Sequence, residues 1–258
     1  MLWKFYKTDP EVCSYLFGTM HMSTKEAYTF VEKARKYIQT VSIYAAEMDL
    51  NASQSSDIMQ YFLLPEGEVF SSFFRPKQYK KHQKVIYRSF KVDIQNFESY
   101  SPFFINNFLA ELSLTKSENE PLDHHLWSYA TSLGKEMTGV ESLADQLEIL
   151  KGIPIDFQIK SFKDTVKNIS SFRKRVLTIN RLYSQGDVNS LYSITKKSMG
   201  KIRKLMIYDR NERMAQRVVE IHQLKPCFVA VGAAHLGGNK GLLNLLKKQG
   251  YKIKSVEI

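Results

Sequence analysis

Two histidines at matching positions of an internal repeat are the residues of this chain whose spacing best suggests chemistry. Residues 13–21 read CSYLFGTMH and residues 227–235 read CFVAVGAAH, with Cys, Gly and His at identical spacing. Each copy is a short apolar run closed by Gly-x-x-His, which is typical of a buried strand that ends in a loop. The matched contexts predict one site shared by His21 and His235. The alternative is two ordinary turns, with glycine for backbone geometry and each histidine hydrogen-bonded locally.

Acidic residues end two further predicted strands. Glu47 follows two alanines in an otherwise apolar run, residues 41–48, and carboxylates are almost never buried without a partner. Glu47 is therefore predicted to be a metal ligand or general base beside His21, the alternative being a strand-end residue turned to solvent. Glu141 ends a shorter predicted strand and follows the same logic.

Two imidazoles with one or two carboxylates form the ligand set of a hydrolytic metal site. Such a site leaves one coordination position for water, whose pKa the ion lowers while it polarises the carbonyl under attack. The His-Glu-x-x-His helix of zinc peptidases, the Gly-x-Ser-x-Gly elbow, the Walker loop and the dinucleotide fingerprint do not occur.

Other polar residues have simpler interpretations. Asp123 begins a predicted helix, where an N-cap is the simplest role, and the adjacent His124 and His125 point in different directions. Arg210 and Arg213 lie three apart on a helix and are expected to face the same way, towards a carboxylate, a developing oxyanion or the core's acids. Two histidines without a matching context are predicted at the surface: His82 and His222.

The elements around the repeat predict an α/β fold. Residues 23–26 form a capping box before apolar residues at helical spacing, and the run LLNLLKK follows the second copy. Each helix leads into another strand, at residues 41–48 and 251–256. Strand, helix, strand units normally form parallel crossovers, and the carboxyl ends of parallel strands lie at one sheet edge. The two histidines converge there if the copies are sheet neighbours.

The middle of the chain is predicted to be mainly helical. Residues 53–113 and 144–224 show helical patterns, and between them a helix from residue 123 precedes a brief strand ending at Glu141. We therefore predict one domain, with a mainly parallel sheet in an α/β core at about 1–50, 120–143 and 226–258. Helical insertions would occupy about 51–119 and 144–225.

Composition and charge limit the classes of function. The chain is 43% apolar with a net charge of +11, and two stretches, residues 75–91 and 160–204, hold much of the positive charge. These basic helices could attract an anionic surface, although solvated helix faces explain them equally, and no specific nucleic acid is expected. No apolar stretch reaches the length of a membrane span and no signal peptide is evident, so a cytoplasmic protein or one exported with its leader removed is expected.

A series of short motifs carries a family resemblance over the whole chain. They are LWK at 2–4, YLFGTMH at 15–21, AEMD at 46–49, LDxxL at 122–126, GVE at 139–141, RN at 210–211 and VGAAHLG at 231–237. In this order they resemble the TraB/GumN family, which is related to the TIKI proteins and more distantly to erythromycin esterase and ChaN-like proteins. The resemblance implies a TIKI-type α/β fold with paired GxxH motifs and, as in the TIKI members, a metalloprotease that depends on manganese or cobalt.

Site residues follow from the resemblance position by position. His21 and His235 match the paired histidines and Glu47 the acid after the second strand, so these three are expected to hold the ion. Asp123, Glu141, Arg210 and Asn211 match further positions of the family. Together with the reasoning from the residues themselves, this makes Glu47, Glu141 and Arg210 the expected catalytic residues. The expected substrate-binding residues are Asp123, Arg210 and Asn211, with Arg213 added from its helical spacing to Arg210. Two departures from the family pattern are the missing leader and Pro121 where glycine is usual.

The sequence thus favours a metal-dependent hydrolase acting on peptide bonds, with manganese or cobalt, or else zinc, as cofactor and a peptide or protein as substrate. One alternative is a non-catalytic protein that binds or sequesters a peptide or haem-type ligand. Another is a metal-free esterase of the erythromycin-esterase type that uses a His-Glu pair.

Overall fold

A six-stranded sheet organises the part of the chain that the computed structural model describes, residues 1–51, 57–115, 117 and 120–256. The strands are β1 (Leu2–Tyr6), β2 (Ser14–Thr19), β3 (Ile43–Met48), β4 (Glu136–Glu141), β5 (Cys227–Gly232) and β6 (Lys252–Ser255). Their order is β4-β3-β5-β2-β1-β6. Strands β4, β3, β5 and β2 pair in parallel, whereas β1 is antiparallel to both β2 and β6. The predicted α/β class with a mainly parallel sheet is confirmed.

The helices are divided between the unit that contains the sheet and a second compact unit. They are α1 (Val31–Gln39), α2 (Asp57–Gln60), α3 (Pro76–Phe90), α4 (Pro102–Glu111), α5 (Leu122–Ser132), α6 (Leu143–Lys151), α7 (Ile155–Lys167), α8 (Ile169–Ser184), α9 (Val188–Met199), α10 (Asp209–Leu224) and α11 (Leu242–Lys248). The first unit comprises residues 1–54, 116–146 and 179–258 and the second 55–115 and 147–178. Among the helices in the described ranges, none is both long and apolar enough to cross a lipid bilayer.

The two copies of the repeat form neighbouring parallel strands in the middle of the sheet. All six residues of β2 are buried, as are the first five of β5, because both faces of these strands are covered and their apolar runs are continuous. After β2 the chain passes through α1 to β3, which lies on the far side of β5. After β5 it passes through α11 to β6, which runs in the same direction as β5. The predicted convergence of the copies at one sheet edge follows from this order.

Some local predictions differ from the structure. The capping box at residues 23–26 does not form: Thr24 Oγ1 accepts a hydrogen bond from the Ala27 N–H at 3.2 Å, and a 3-10 turn, Ala27–Phe30, precedes α1. Strand β1 has no counterpart in the sequence-based prediction, because its five residues lack a clear alternation of apolar and polar types. The predicted insertion at 144–225 is divided, since 147–178 belongs to the second unit and 179–225 to the sheet unit. The single-domain assignment stays a prediction.

The helical second unit has its own aromatic core. It is built mainly from α3, α4 and α7, with Phe70, Ile86, Leu109 and Phe162 fully or almost fully buried. His82 on α3 lies in this core, 7% exposed and edge-on to Phe162, and neither ring nitrogen has a hydrogen-bond partner among the described residues. The surface prediction for His82 is therefore wrong.

His222 was also predicted at the surface, and that prediction is wrong as well. Its ring is partly buried in the sheet unit, where Nδ1 lies 2.8 Å from Ser14 Oγ and the ring packs against Phe5. Both histidines sit on the apolar faces of amphipathic helices, where a ring with little solvent contact packs like another aromatic side chain.

Candidate functional site

The carboxyl ends of four adjacent parallel strands bring the predicted site residues to one sheet edge. Glu141 is the last residue of β4 and Glu47 the fifth of six residues in β3. His235 follows β5 in a short 3-10 turn, Ala233–His235, and His21 lies two residues beyond the end of β2. The strand order β4-β3-β5-β2 therefore places these four residues in the sequence Glu141, Glu47, His235, His21 along the edge.

Arg210 joins the two glutamates in a buried ion-pair network. Its Nη2 donates to Glu47 Oε1 at 2.5 Å and to Glu141 Oε2 at 2.6 Å, and its Nε donates to Glu141 Oε1 at 3.0 Å. Arg210 lies in the first turn of α10, directly after a π-helical turn, Lys204–Tyr208, a feature often found at functional sites. Two carboxylates share one guanidinium, so the network has an excess of negative charge.

The two glutamates differ in exposure. The Glu141 side chain is 1% exposed and also accepts a hydrogen bond from Gln146 Nε2 at 3.3 Å, whereas the Glu47 side chain is 29% exposed. Partial burial acts to raise the pKa of Glu47, but the neighbouring His235 and Arg210 and the hydrogen bond from the Gly232 N–H lower that pKa to about 2. Glu47 is thus the ionised carboxylate that solvent and ligands can reach.

Asn211 fixes the tautomer of His235. Asn211 is fully buried, and its Nδ2 donates to two backbone carbonyls, those of His235 at 3.2 Å and Lys240 at 2.7 Å. Because a carbonyl oxygen only accepts, the amide NH₂ must face these two groups and Oδ1 must face the imidazole. His235 Nδ1 lies 2.6 Å from Oδ1 and therefore carries the proton. The lone pair of the neutral ring is on Nε2.

His235 stays neutral at physiological pH. Its burial lowers the pKa to about 4, because the negative charge of Glu47, which raises the pKa, offsets only part of the effect of burial and the positive charge of Arg210 lowers the pKa as well. A neutral imidazole beside an ionised carboxylate is the protonation state in which both groups can bind a cation.

His21 is held in the same way as His235. Its Nδ1 lies 3.0 Å from Asp123 Oδ2, and because an ionised carboxylate only accepts, Nδ1 carries the proton here too. The His21 side chain is 73% exposed, and its ring centroid lies 6.1 Å from that of His124. Each GxxH histidine thus directs Nδ1 to a side-chain acceptor and presents Nε2 as its other nitrogen.

The glycines of the two motifs have different tasks. Gly232 has φ −52° and ψ 129°, which any residue adopts, but a Cβ there would lie 3.1 Å from Glu47 Oε2 and 3.5 Å from His235 Cδ2. Gly232 therefore keeps the space between the carboxylate and the imidazole open. A Cβ at Gly18 would lie 2.8 Å from Leu236 Cδ1 and 3.1 Å from Ala233 Cβ, so the second motif's turn packs directly on the first motif's glycine.

The donors at this edge suit a divalent ion in chemical type. Neutral imidazole nitrogen and ionised carboxylate oxygen are ligands for zinc, manganese and cobalt, and both histidines have the Nδ1 acceptor that metal-bound histidines usually have. Within the residues that the structure describes, however, no three His, Cys, Asp or Glu side chains are grouped closely enough to hold one ion.

The other predicted site residues are only partly brought together. Asp123 is predicted as an N-cap, but its side chain contacts His21 instead and no side chain caps α5. Asn211 is too deeply buried to touch a substrate in this arrangement. Arg213 does not face the same way as Arg210: it is exposed, and its charge adds to the hydrogen bonds from Ser142 that lower the pKa of Asp145.

Two supporting groups leave no signal in the sequence. The Lys240 carbonyl holds Asn211 through its backbone, which leaves no trace in residue type, and Gln146 reaches Glu141 from α6. The role of Gly232 as a spacer was also missed, because a strand-ending glycine is first attributed to backbone geometry.

Comparison with known proteins identifies relatives over the whole length of the chain. The sequence model described as the TraB/PrgY/gumN family matches residues 1–255. The chain is 26% identical over 311 residues to "Metalloprotease TIKI2" of Danio rerio, covering 98% of this chain and 60% of that protein. It is likewise 26% identical over 313 residues to "Metalloprotease TIKI1" of Homo sapiens, covering 98% and 61%. The chain thus spans about 60% of the length of these curated relatives.

A more distant animal relative gives the same result. "Metalloprotease TIKI homolog" of Nematostella vectensis is 24% identical over 319 residues, which cover 99% of this chain and 67% of that protein. No solved structure matches the chain.

Proposed function

Because the chain belongs to the TraB/PrgY/gumN family, we propose that it is a metal-dependent hydrolase that cleaves peptide bonds. The relatives named metalloproteases support the reaction class. The observation that carries the proposal is the matched environment of the two GxxH histidines. His21 Nδ1 donates a hydrogen bond to Asp123, and His235 Nδ1 donates one to Asn211. This arrangement fixes the ring and raises the basicity of Nε2, as second-layer partners of metal-bound histidines do.

In this proposal His235, His21 and Glu47 would hold the ion, which requires the three side chains to come closer together than they are in this structure. Manganese or cobalt is favoured by the family resemblance, and the donor types also accept zinc. When bound, the ion would polarise the substrate carbonyl and lower the pKa of a bound water. The low pKa of Glu47 suits a ligand better than a general base, because a base works best when its pKa lies near the operating pH.

Arg210 and Glu141 have a supporting role in the proposed reaction. The bonds to the two glutamates run through Nε and Nη2 of Arg210, and we assign its Nη1 to the substrate, where a guanidinium would stabilise developing negative charge. Glu141, almost fully buried, keeps the guanidinium in place and is a positioning residue. Gly232 keeps the space between Glu47 and His235 open for the reacting groups.

Metal binding by the purified protein tests the proposal. Manganese, cobalt and zinc stoichiometry and affinity would be measured for the wild type and for the variants His21→Ala and His235→Ala, with His124→Ala as the control. His124 is exposed and next to Asp123, so its removal changes the surface near His21 without touching the proposed ligands. We expect about one tight ion per chain in the wild type and the control, and none in the two ligand variants.

Hydrolysis of a peptide library then separates the alternatives. Turnover that chelators abolish and manganese or cobalt restores supports the proposal, provided that both ligand variants lose it. Ester hydrolysis that resists chelators would replace it with the metal-free esterase. Tight retention of a peptide or haem-type ligand without turnover under any ion would replace it with the binding protein.

A further inference from the structure

One face of α3 carries a continuous row of positive charge. Its members are exposed and, apart from one adjacent pair, lie three or four residues apart, and they are Lys77, Lys80, Lys81, Lys84, Arg88 and Lys91. At 100° per residue these positions fall within an arc of about 100°, along a helix about 22 Å long. The buried residues of the helix, Tyr79, His82 and Ile86, lie on the opposite side. We call this row the α3 basic face.

The α3 basic face is not neutralised by its surroundings. Helix α3 contains no acidic residue, and across the described part of the chain no acidic side chain forms an ion pair with any of the six. Other exposed cations of the protein do find acids, for example Lys225 with Glu136 and Lys240 with Glu212. Six like charges in a row repel one another, which is a cost that folding alone does not require.

Lys91 adds a second observation that is independent of charge. It ends α3 with φ 59° and ψ 30°, the left-handed conformation in which glycine is the usual residue. Within the described residues Lys91 is the only non-glycine with a positive φ. A side chain is thus kept at a strained backbone position, and that side chain extends the basic face by one more charge. Strain retained at one position points to a function of the residue there.

Apolar surface borders the same face. Tyr87 is 57% exposed and lies at the edge of the row, with Lys91 Nζ 6.0 Å from its ring centre. Next to Lys80 an open hollow of about 710 Å³ is lined by Val69, Phe74 and Pro76 together with polar side chains that include Glu98. Val69 is 43% exposed. The surface therefore combines a line of cations with an apolar margin.

We propose that the α3 basic face docks on an anionic lipid bilayer and holds the protein at a membrane surface. A plane tangent to a straight helix touches all members of a narrow row at once, so a flat layer of phosphate headgroups complements the six charges. The apolar margin with an exposed tyrosine suits the headgroup region, where amphipathic aromatic side chains are favoured. This inference does not depend on the proposed hydrolytic chemistry.

Lipid explains the composition of the face better than nucleic acid does. Five of the six cations are lysines, which bind phosphate as point charges, whereas base reading relies on planar arginine and amide side chains. Single-stranded nucleic acid needs a series of stacking aromatics, and α3 exposes one, Tyr87.

Vesicle binding by the full chain tests the inference. Partitioning onto phosphatidylcholine vesicles would be compared with partitioning onto vesicles in which phosphatidylserine replaces part of that lipid. The first variant changes Lys77, Lys80, Lys84 and Arg88 to Gln. The control changes four exposed lysines of the sheet unit, Lys247, Lys248, Lys252 and Lys254, to Gln, so both variants lose the same net charge. Circular dichroism would verify that both are folded.

The wild type and the control should bind the anionic vesicles with similar affinity and the neutral vesicles weakly. The α3 variant should bind on the order of several hundredfold more weakly, given about fivefold for each of its four lost charges near an anionic surface. Equal losses in the two variants would show a general charge effect and overturn the inference, as would no binding by the wild type. Tighter binding to duplex DNA than to anionic vesicles, lost in the α3 variant, would replace lipid by nucleic acid.

Lys91→Gly provides a single-residue measurement. Glycine relieves the left-handed backbone and removes one charge, so thermal stability should rise while vesicle affinity falls about fivefold. A fall in stability, or an unchanged affinity, would contradict the role assigned to this lysine.

Discussion

Asn211 Oδ1 accepts a hydrogen bond from His235 Nδ1 at 2.6 Å, while both hydrogens of the Asn211 amide are donated to backbone carbonyls. The residue has no freedom to flip, because either carbonyl would then face Oδ1. The imidazole is consequently presented with its lone pair on Nε2 before any ligand arrives.

Replacing Asn211 separates this role from simple packing. Asn211→Asp retains an acceptor for the Nδ1 proton, whereas Asn211→Leu removes it, and both lose the donors to the two carbonyls. We expect both variants to be less stable, but only Asn211→Leu to bind metal 10–100-fold more weakly, as loss of a ligand's supporting partner typically does. Two-bond ¹H–¹⁵N spectra of the histidine rings would report the tautomer directly. Equal metal affinity in the two variants would contradict the assignment.

Glu47→Gln should abolish metal-dependent turnover with little change in fold. The amide keeps the shape of the side chain but removes the ionised group, and we expect a loss of roughly 10²–10⁴-fold in kcat/KM. Glu136→Gln is the control, since it makes the same change at the first residue of the neighbouring strand β4, where Glu136 forms an exposed ion pair with Lys225. Activity retained by Glu47→Gln would remove this carboxylate from the reacting centre.

Arg210→Leu should destabilise the sheet unit. It leaves the buried Glu141 without its cation, which costs about 3–5 kcal/mol, or roughly 10 °C in Tm. Arg213→Leu, three residues along the same helix and exposed, should change the free energy of unfolding by no more than about 0.5 kcal/mol. The double variant Glu141→Gln/Arg210→Leu should recover part of the loss in thermal unfolding. No recovery would mean that the ion pair is not the source of the instability.

Gly232→Ala is expected to impair metal binding and turnover, whereas Gly18→Ala is expected to lower thermal stability. The methyl at 232 enters the space beside Glu47 and His235 at an unstrained backbone position, so metal affinity and kcat should fall while Tm changes little. The methyl at 18 meets Leu236 and Ala233, so Tm should fall first. Metal titration and thermal unfolding of the same two preparations decide the matter. If Gly232→Ala lowers Tm and leaves metal affinity unchanged, the role of Gly232 is in packing.

Stability should decrease as pH falls from about 6.5 to 4. The pKa of His235 is about 4 in the folded protein against an ordinary value of about 6.5, so in this window the unfolded chain binds a proton that the folded one does not. The resulting loss is about 3 kcal/mol for His235 alone. The pKa values of His82 and His222, lowered mainly by burial, act in the same direction. Denaturant unfolding of the wild type across this range should show the slope.

The slope should be smaller in His235→Gln, which cannot titrate there. His124→Gln, at an exposed position, serves as the control and should retain the slope of the wild type. A flat profile in the wild type would show that His235 is protonated without cost in the folded state. Glu47, with its pKa lowered to about 2, would extend the decline below pH 4.

The residues at the sheet edge could be predicted from the sequence, because strands that are covered on both faces have continuous apolar sequences with clear ends. Glu47, Glu141 and the two histidines were placed at such ends, and β3, β4, β5 and β2 do end there. The contacts among them could not be predicted in the same way. Asp123 has the features of an N-cap, and only the neighbouring strand β2, a hundred residues away, supplies the imidazole that it binds instead.

Side-chain orientation on α10 was the other limit. Equal spacing suggested that Arg210 and Arg213 act together, but one is buried against two glutamates and the other is in solvent. Where the buried face of a helix begins depends on the neighbouring strands and on the π-helical turn before it, and neither is encoded in the spacing of two arginines.

The position of β5 in the sheet has a consequence for how the molecule acquires its shape. It lies between β2 and β3, yet it is translated about 180 residues after β3 and about 210 after β2, so the two earlier strands cannot complete their pairing until the chain is nearly finished. Closing so long a loop is slow, and two unpaired apolar strand edges are exposed meanwhile. During synthesis this chain should therefore depend on chaperones, and its proposed centre cannot assemble on a ribosome-bound fragment that lacks β5.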